Sequence, residues 1–143
     1  IKTPLEIHTH NDFGLATANA LAGINGGAVY ATVTVNGIGE RAGNASLEEV
    51  VMSLEKIEGI KTGINIRRLK ELSLLVSRSS GRSIPPNKPI VGELVFTHES
   101  GIHVDGVIKD PTNYEPFPPE DIGAKRKLII GKHSNKRLLS PSF

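Results

Sequence analysis

The stretch LEIHTHND, Leu5 to Asp12, puts two histidines one residue apart at the end of a run of alternating apolar residues. On a strand, residues i and i+2 face the same way, so His8 and His10 project together while Thr9 points to the other side. Neutral imidazoles converging in this way can share a Zn, Mn or Fe ion. They can equally be a buried pair satisfied by backbone carbonyls, or a surface pair. Glu6 shares their face, either as a carboxylate backing the imidazoles or as an ordinary residue at the core edge.

Three other stretches invite chemical readings. GIGERAGN carries glycines at 37, 39 and 43, one residue too far apart for the dinucleotide pattern G-x-G-x-x-G, and no acidic residue is placed for a ribose. It reads instead as a loop above a strand end, delivering Asn44 or Glu40 toward the histidines. In His98-Glu99-Ser100-Gly101-Ile102-His103 the histidines are five apart with a glycine between, whereas a helical zinc-protease motif needs four. His103, in a glycine-flanked loop and followed by Tyr114, suits general acid–base work or is a structural histidine. Asn44-Ala45-Ser46 matches a glycosylation acceptor, but Ser46 is more economically a helix cap.

These residues must be held by elements that the pattern also predicts. Leu5 to His10 reads as a strand, after which Asn11 and Asp12 offer helix caps. Phe13 to Ile24 reads as an uncharged helix closing on Gly26-Gly27, apolar nearly all round and so packed on more than one side. Tyr30 to Asn36 is a second strand. Ser46-Leu47-Glu48-Glu49 is a capping box opening a helix, with Leu47, Val50, Val51, Leu54 and Ile57 at helical spacing and Gly59 ending it. A third helix is expected from Ile66 to about Ser79, capped by Asn65, with Leu69, Leu72, Leu75 and Val76 on one side. RSIPPNKP is a breaker-rich linker, followed by strand-like pieces at Ile90 to Phe96 and Lys127 to Ile130. Strand and helix alternating over short connections is the signature of parallel α/β structure. The boundary falls near residue 82, with units of 1–81 and 82–143.

The 143 residues are enough for one domain with a real core. Absence of cysteine excludes disulfides, thiolate zinc sites and a cysteine nucleophile. No stretch approaches the roughly 20 apolar residues of a membrane span, and the start lacks a signal pattern. The default expectation is a cytoplasmic protein without a membrane partner. From Lys125 onward there are six basic residues and no acidic one. With no aromatic side chains nearby for stacking, this basic stretch is read as a solvated surface rather than a nucleic-acid contact.

Taken together, LEIHTHNDFGLATANALAGINGGA, TVNGIGERAGNASLEEVV and FTHESGIHVDGVIKDPTNYEPF resemble the metal-dependent Claisen-condensing family of 2-isopropylmalate, homocitrate and citramalate synthases, with the related hydroxymethylglutaryl-CoA lyase. The resemblance covers nearly the whole chain. It implies a (β/α)8 (TIM) barrel, of which this chain carries the last two strand–helix units, followed by a small α+β subdomain. The first strand of the family's barrel, with its Arg, acidic metal ligand and Glu, is not represented. A full barrel takes about 250 residues, so the chain is expected to be a C-terminal portion. Carried over residue by residue, the resemblance makes His8 and His10 ligands of a divalent metal (Mg, Mn or Zn) and places Asn44 at or near it. His103 and Tyr114 become the catalytic pair, supplied in the family by the partner subunit of a homodimer. The implied activity is that of an acyltransferase joining acetyl-CoA to a 2-oxo acid. HVDGVIKDPTNYEPF and LIIGKHS are more similar to homocitrate synthases of nitrogen fixation than to isopropylmalate synthases, which makes 2-oxoglutarate the expected acceptor. 2-Isopropylmalate or citramalate synthesis is the alternative, and a non-catalytic or split subunit supplying half a site is another.

Overall fold

The computed structural model describes residues 2–98 and 110–128. Strand β1 (Glu6–His8) and strand β2 (Tyr30–Thr32) pair in parallel, with Ile7 opposite Ala31, and helix α1 (Ala16–Asn25) makes the crossover between them. Both strands are shorter than the sequence predicts. After Thr32 the chain leaves the pairing, and Val35–Gly37 closes into a tight turn in which Asn36 is left-handed, with φ 62°. The β-branched run YATVTVN thus ends as a turn.

Helix α1 starts later than the predicted caps, with Leu15 at its N-cap position and no side-chain cap there, although the Asn11 Oδ1 accepts from the Ala16 N–H at 3.1 Å. Helix α1 buries only Ala16 and Ala20. Among the described residues it is packed on one side, not on several as its composition predicts. Helix α2 (Leu47–Lys56) starts after Ser46, but the capping box is not formed: the Ser46 hydroxyl makes no bond to the helix and instead accepts from Lys88 Nζ. Val50, Val51 and Leu54 are buried as expected, whereas Ile57, past the helix end, is 81% exposed. Helix α3 (Leu69–Ser80) follows a single tight turn over Ile66–Arg68, where the Asn65 side chain accepts from Arg67 N–H. Leu69 is buried, but Leu75 is exposed and Ser73 takes the inner position instead.

Two cores form. The first joins Ala16 and Ala20 of α1 to Ala45, Val50 and Leu54. The second joins Met52 of α2 and Leu69 of α3 to Phe96, Phe117 and Ile122, with the two phenyl rings edge to face at 5.5 Å. Helix α2 therefore serves both cores from different faces, and the second core spans residue 82. The segment Ile90 to Phe96 is a run of turns rather than a strand; pairing begins only at strand β3 (Thr97–His98), parallel to strand β4 (Lys127–Leu128). Positions 129 and 130 of the second expected strand lie outside the described residues. Arg126 grips the buried Glu115 through Nε and Nη2 of its guanidinium, at 2.7 and 2.5 Å.

Ile122 is fully buried at the junction of α2, α3 and the later segment. Ile122→Ala is expected to lower stability by about 2–5 kcal/mol, the range for emptying a packed core position; urea denaturation measures it. Glu55 accepts from both the backbone N–H and the hydroxyl of Thr62, and these bonds hold its carboxyl below the usual carboxylate value of 4.5. Its contribution is therefore present above pH 4.5 and lost as pH falls through the lowered value. The stability difference between wild type and Glu55→Gln, followed by denaturation at several pH values, is expected to shrink in that acid window.

Candidate metal centre

His8 is the last residue of β1 and His10 lies just beyond it, so both imidazoles stand at the carboxyl end of the strand. Three segments are stitched together there by backbone bonds. Ala45 N–H donates to Thr9 O at 3.2 Å, and its carbonyl accepts from Thr34 N–H at 3.0 Å. Asn11 N–H donates to Gly43 O, and His10 pairs with Asn44 in an antiparallel bridge. Residues 44–46, expected as loop and helix cap, thus work as a minimal strand between the two strand ends.

The consequence is a three-residue cluster. His8 Nε2 and His10 Nε2 are 3.3 Å apart, with ring centroids at 5.0 Å and planes at 76°. Asn44 Nδ2 lies 3.0 Å from His8 Nε2. Two nitrogens bound to one ion at about 2.1 Å and 90–110° are separated by roughly 3.0–3.4 Å, so the pair has the spacing of co-ligands. Among the described residues neither imidazole bonds a backbone carbonyl, and His10 Nδ1 is buried without a hydrogen-bond partner. A structural histidine pair normally has those nitrogens satisfied. Turning the Asn44 amide over would present its oxygen, the atom that can ligate, in exchange for the 3.5 Å bond from Nδ2 to Thr9 O. No third His or carboxylate joins the pair among the described residues. The residues present thus fit two or three positions of a divalent ion's shell.

Glycine is required around Asn44. A Cβ on Gly39 would overlap the Asn44 amide, and one on Gly43, which has φ 91°, would overlap Gly37 O. Arg41 is itself left-handed, with φ 53°, and its guanidinium holds Asp12 through two bonds of 2.9 Å. That grip ties the glycine loop to the turn after His10. The Arg41 guanidinium, by hydrogen bond, holds the Asp12 carboxyl below the usual range.

Of the predicted site residues, the structure brings together His8, His10 and Asn44. Glu40 is exposed, and Asn44 is the loop residue that reaches the histidines. The Glu6 carboxylate accepts from the Thr32 hydroxyl across the β1–β2 pair. Tyr114 follows a short turn over Pro111–Asn113, capped by Asp110, and is 42% exposed. His103 lies outside the described residues.

Sequence reasoning missed the support behind the glycine loop. Glu48, 1% exposed, accepts from Asn36 N–H at 3.1 Å. Lys88 Nζ lies 2.5 Å from Glu49 and 3.5 Å from Glu48. Two adjacent glutamates opening an otherwise amphipathic helix, with a lysine in a proline-rich segment, were the available signal; charge in such places usually faces water.

The chain spans about a third of the length of the curated relatives it matches. It is 58% identical to "Homocitrate synthase 1" of Nostoc sp. over 96% of this chain and 36% of that protein. It is 61% identical to "Probable 2-isopropylmalate synthase" of Ignicoccus hospitalis over 92% of this chain and 33% of that one. It is 54% identical to "(R)-citramalate synthase" of Methanocaldococcus jannaschii over 97% of this chain and 28% of that one. No helix among the described residues is long and apolar enough to cross a membrane. Residues 90–140 match the family model described as "Homocitrate synthase post-HMGL domain-like". With residues 1–76 matching the HMGL-like family model, more than half of the chain is accounted for, and the protein belongs to the HMGL-like family.

Proposed function

We propose that the chain is the metal-binding portion of an acyltransferase that condenses acetyl-CoA with a 2-oxo acid. The observation that carries this is the 3.3 Å approach of His8 Nε2 to His10 Nε2, with the Asn44 amide 3.0 Å from the first. A bound Mg, Mn or Zn ion supplies Lewis-acid polarisation of the substrate's keto group. His8 and His10 would hold that ion through Nε2, and Asn44, with its amide turned over, would face it through its oxygen. The Asp12–Arg41 pair keeps the two ligand-bearing loops in register. His103 and Tyr114, from the partner subunit of a homodimer, carry the proton transfers: removal from the acetyl methyl, whose carbon then bonds to the keto carbon of the 2-oxo acid, and delivery to the keto oxygen, which becomes a hydroxyl. Water then hydrolyses the thioester and releases coenzyme A.

We further propose 2-oxoglutarate as the acceptor, giving homocitrate, on the resemblance of residues 103–117 and 128–134 to homocitrate synthases. 2-Isopropylmalate synthesis is the second reading, because the similarity to relatives of that name is as high. A split subunit completing its site with another chain is a third. A cytoplasmic location accords with biosynthetic chemistry of this kind.

Titration of Mn²⁺ or Zn²⁺ tests the metal assignment directly. Binding is expected to weaken by at least tenfold in His8→Ala and in His10→Ala, and to fall in acid as protons compete for imidazole. Curves indistinguishable from wild type would remove the assignment. Coenzyme A release by the full-length protein, with 2-oxoglutarate, 2-oxoisovalerate or pyruvate, distinguishes the acceptors. In that assay His103→Ala and Tyr114→Phe are expected to lower kcat by about 10²–10⁴-fold, the usual worth of a positioned acid or base, with metal content intact.

A further inference from the structure

The strap after α3 does more than connect. Lys88, from the proline-rich segment, places its ammonium among Ser46 Oγ (3.1 Å), Glu49 Oε1 (2.5 Å) and Glu48 Oε1 (3.5 Å), with its side chain only 11% exposed. Glu49 is also bonded by the Thr17 hydroxyl of α1 at 2.7 Å. Glu48, whose side chain is 2% exposed, turns its other oxygen to the backbone N–H of Asn36. One cation thus answers two carboxylates in a buried place, and the remaining negative charge rests on the Asn36 N–H and the start of helix α2, where the helix dipole favours it.

Asn36 is where this cluster meets the glycine loop. Its left-handed backbone is held from one side by Glu48 and from the other by α3: its Nδ2 donates to Ser73 O at 3.0 Å and its Oδ1 accepts from the Ser73 hydroxyl. The next residue, Gly37, accepts the Asn44 N–H at 3.1 Å. A path therefore runs from the Lys88 ammonium, in ion-pair range of Glu48 at 3.5 Å, through the hydrogen bonds that join Glu48 to Asn36 and Gly37 to Asn44.

Resting on the metal assignment proposed above, we infer that Lys88 is a positioning residue: through Glu48 and Asn36 it holds the glycine loop in the form that presents Asn44 to the histidine pair. Removing the ammonium leaves Glu48 and Glu49 facing each other in low dielectric, and their repulsion is relieved by moving Glu48 off the Asn36 N–H. Asn36 then loses one of its supports in a strained conformation, and the loop relaxes. A lysine that only fastened the strap would leave the loop alone.

Hydrogen exchange and Mn²⁺ titration on the full-length protein separate these cases. In Lys88→Met, exchange of the Asn44 amide is expected to speed up at least tenfold relative to the Leu54 amide within α2, and the Mn²⁺ Kd to rise about tenfold. Lys88→Arg, which keeps the charge, restores both toward wild type. Lys88→Gln, which keeps a polar side chain of similar reach without the charge, tests the same path should Lys88→Met fail to fold; it too is expected to free the Asn44 amide. Asn44 exchange within twofold of wild type, relative to Leu54, in every folded variant of the two would overturn the inference. Absence of His8- and His10-dependent Mn²⁺ binding in wild type strikes at the metal assignment instead, and the exchange rates still decide the positioning role.

Discussion

The placement of Ala45 between two strand ends is the constraint on which the candidate site depends. Strands β1 and β2 pair over only three registers before they part. Ala45 fills the gap, its N–H bonded to Thr9 and its carbonyl to Thr34. Its methyl group, fully buried, packs with Val50 and Leu54. A larger side chain would overpack that core and lift the segment. With Ala45 fixed, Asn44 must bridge His10 and Ser46 must bridge Thr34. The position of Asn44 and the start of helix α2 are set by one alanine and two backbone bonds.

Holding residue 45 there demands a tight return from β2, and the chain accepts backbone strain to make it. Asn36, Gly37, Arg41 and Gly43 all have positive φ within eight residues. For a non-glycine residue such a conformation costs on the order of 1–2 kcal/mol, somewhat less for asparagine. Both non-glycine residues are also the ones most firmly held by side-chain partners, Asn36 by Glu48 and Ser73, and Arg41 by the two-pronged bond to Asp12. The strain and its compensation lie on opposite sides of the loop, one anchored in the helices and the other in the turn after His10. Strain concentrated beside a ligand cluster and braced from two sides is what a preorganised site needs.

How far the sequence could be read follows from which interactions are local. The His-x-His pair, the helix spans, the Asn65 cap and the turn at Gly26-Gly27 depend on periodicity and near neighbours, and all were legible. The second strand was read too far because β-branched residues favour extended structure, whereas Asn36 is turned by Glu48 and Ser73, which are 12 and 37 residues away. Ser46 and Glu49 have the spacing of a capping box, but a buried lysine 39 residues from Glu49 offers them a charged partner that outweighs the local cap. Ile90 to Phe96 has strand composition, yet the strap bends to bring Lys88 inward and its carbonyls turn to Val91, Gly92 and Leu94. In each case a distant contact defeated a local preference.

The same contacts bear on which acceptor such a site can select. Chelation through a keto oxygen and its neighbouring carboxylate is common to every 2-oxo acid, so a histidine pair with an asparagine does not discriminate among them. The 54–61% identity to relatives bearing three different synthase names is in keeping with that. Choosing 2-oxoglutarate over a branched-chain acid requires a cation or several donors for the distal carboxylate, and a site built to bond a polar group rejects analogues lacking it far more strongly than an apolar pocket rejects a misfit. Two cations beside the glycine loop are already engaged: Arg41 is paired with Asp12, and Lys88 is enclosed by Ser46, Glu48 and Glu49. Withdrawing either for substrate would release a carboxylate and slacken the loop that presents Asn44. These two side chains serve the geometry around Asn44, and on the function proposed an acceptor's far carboxylate would need donors other than these two.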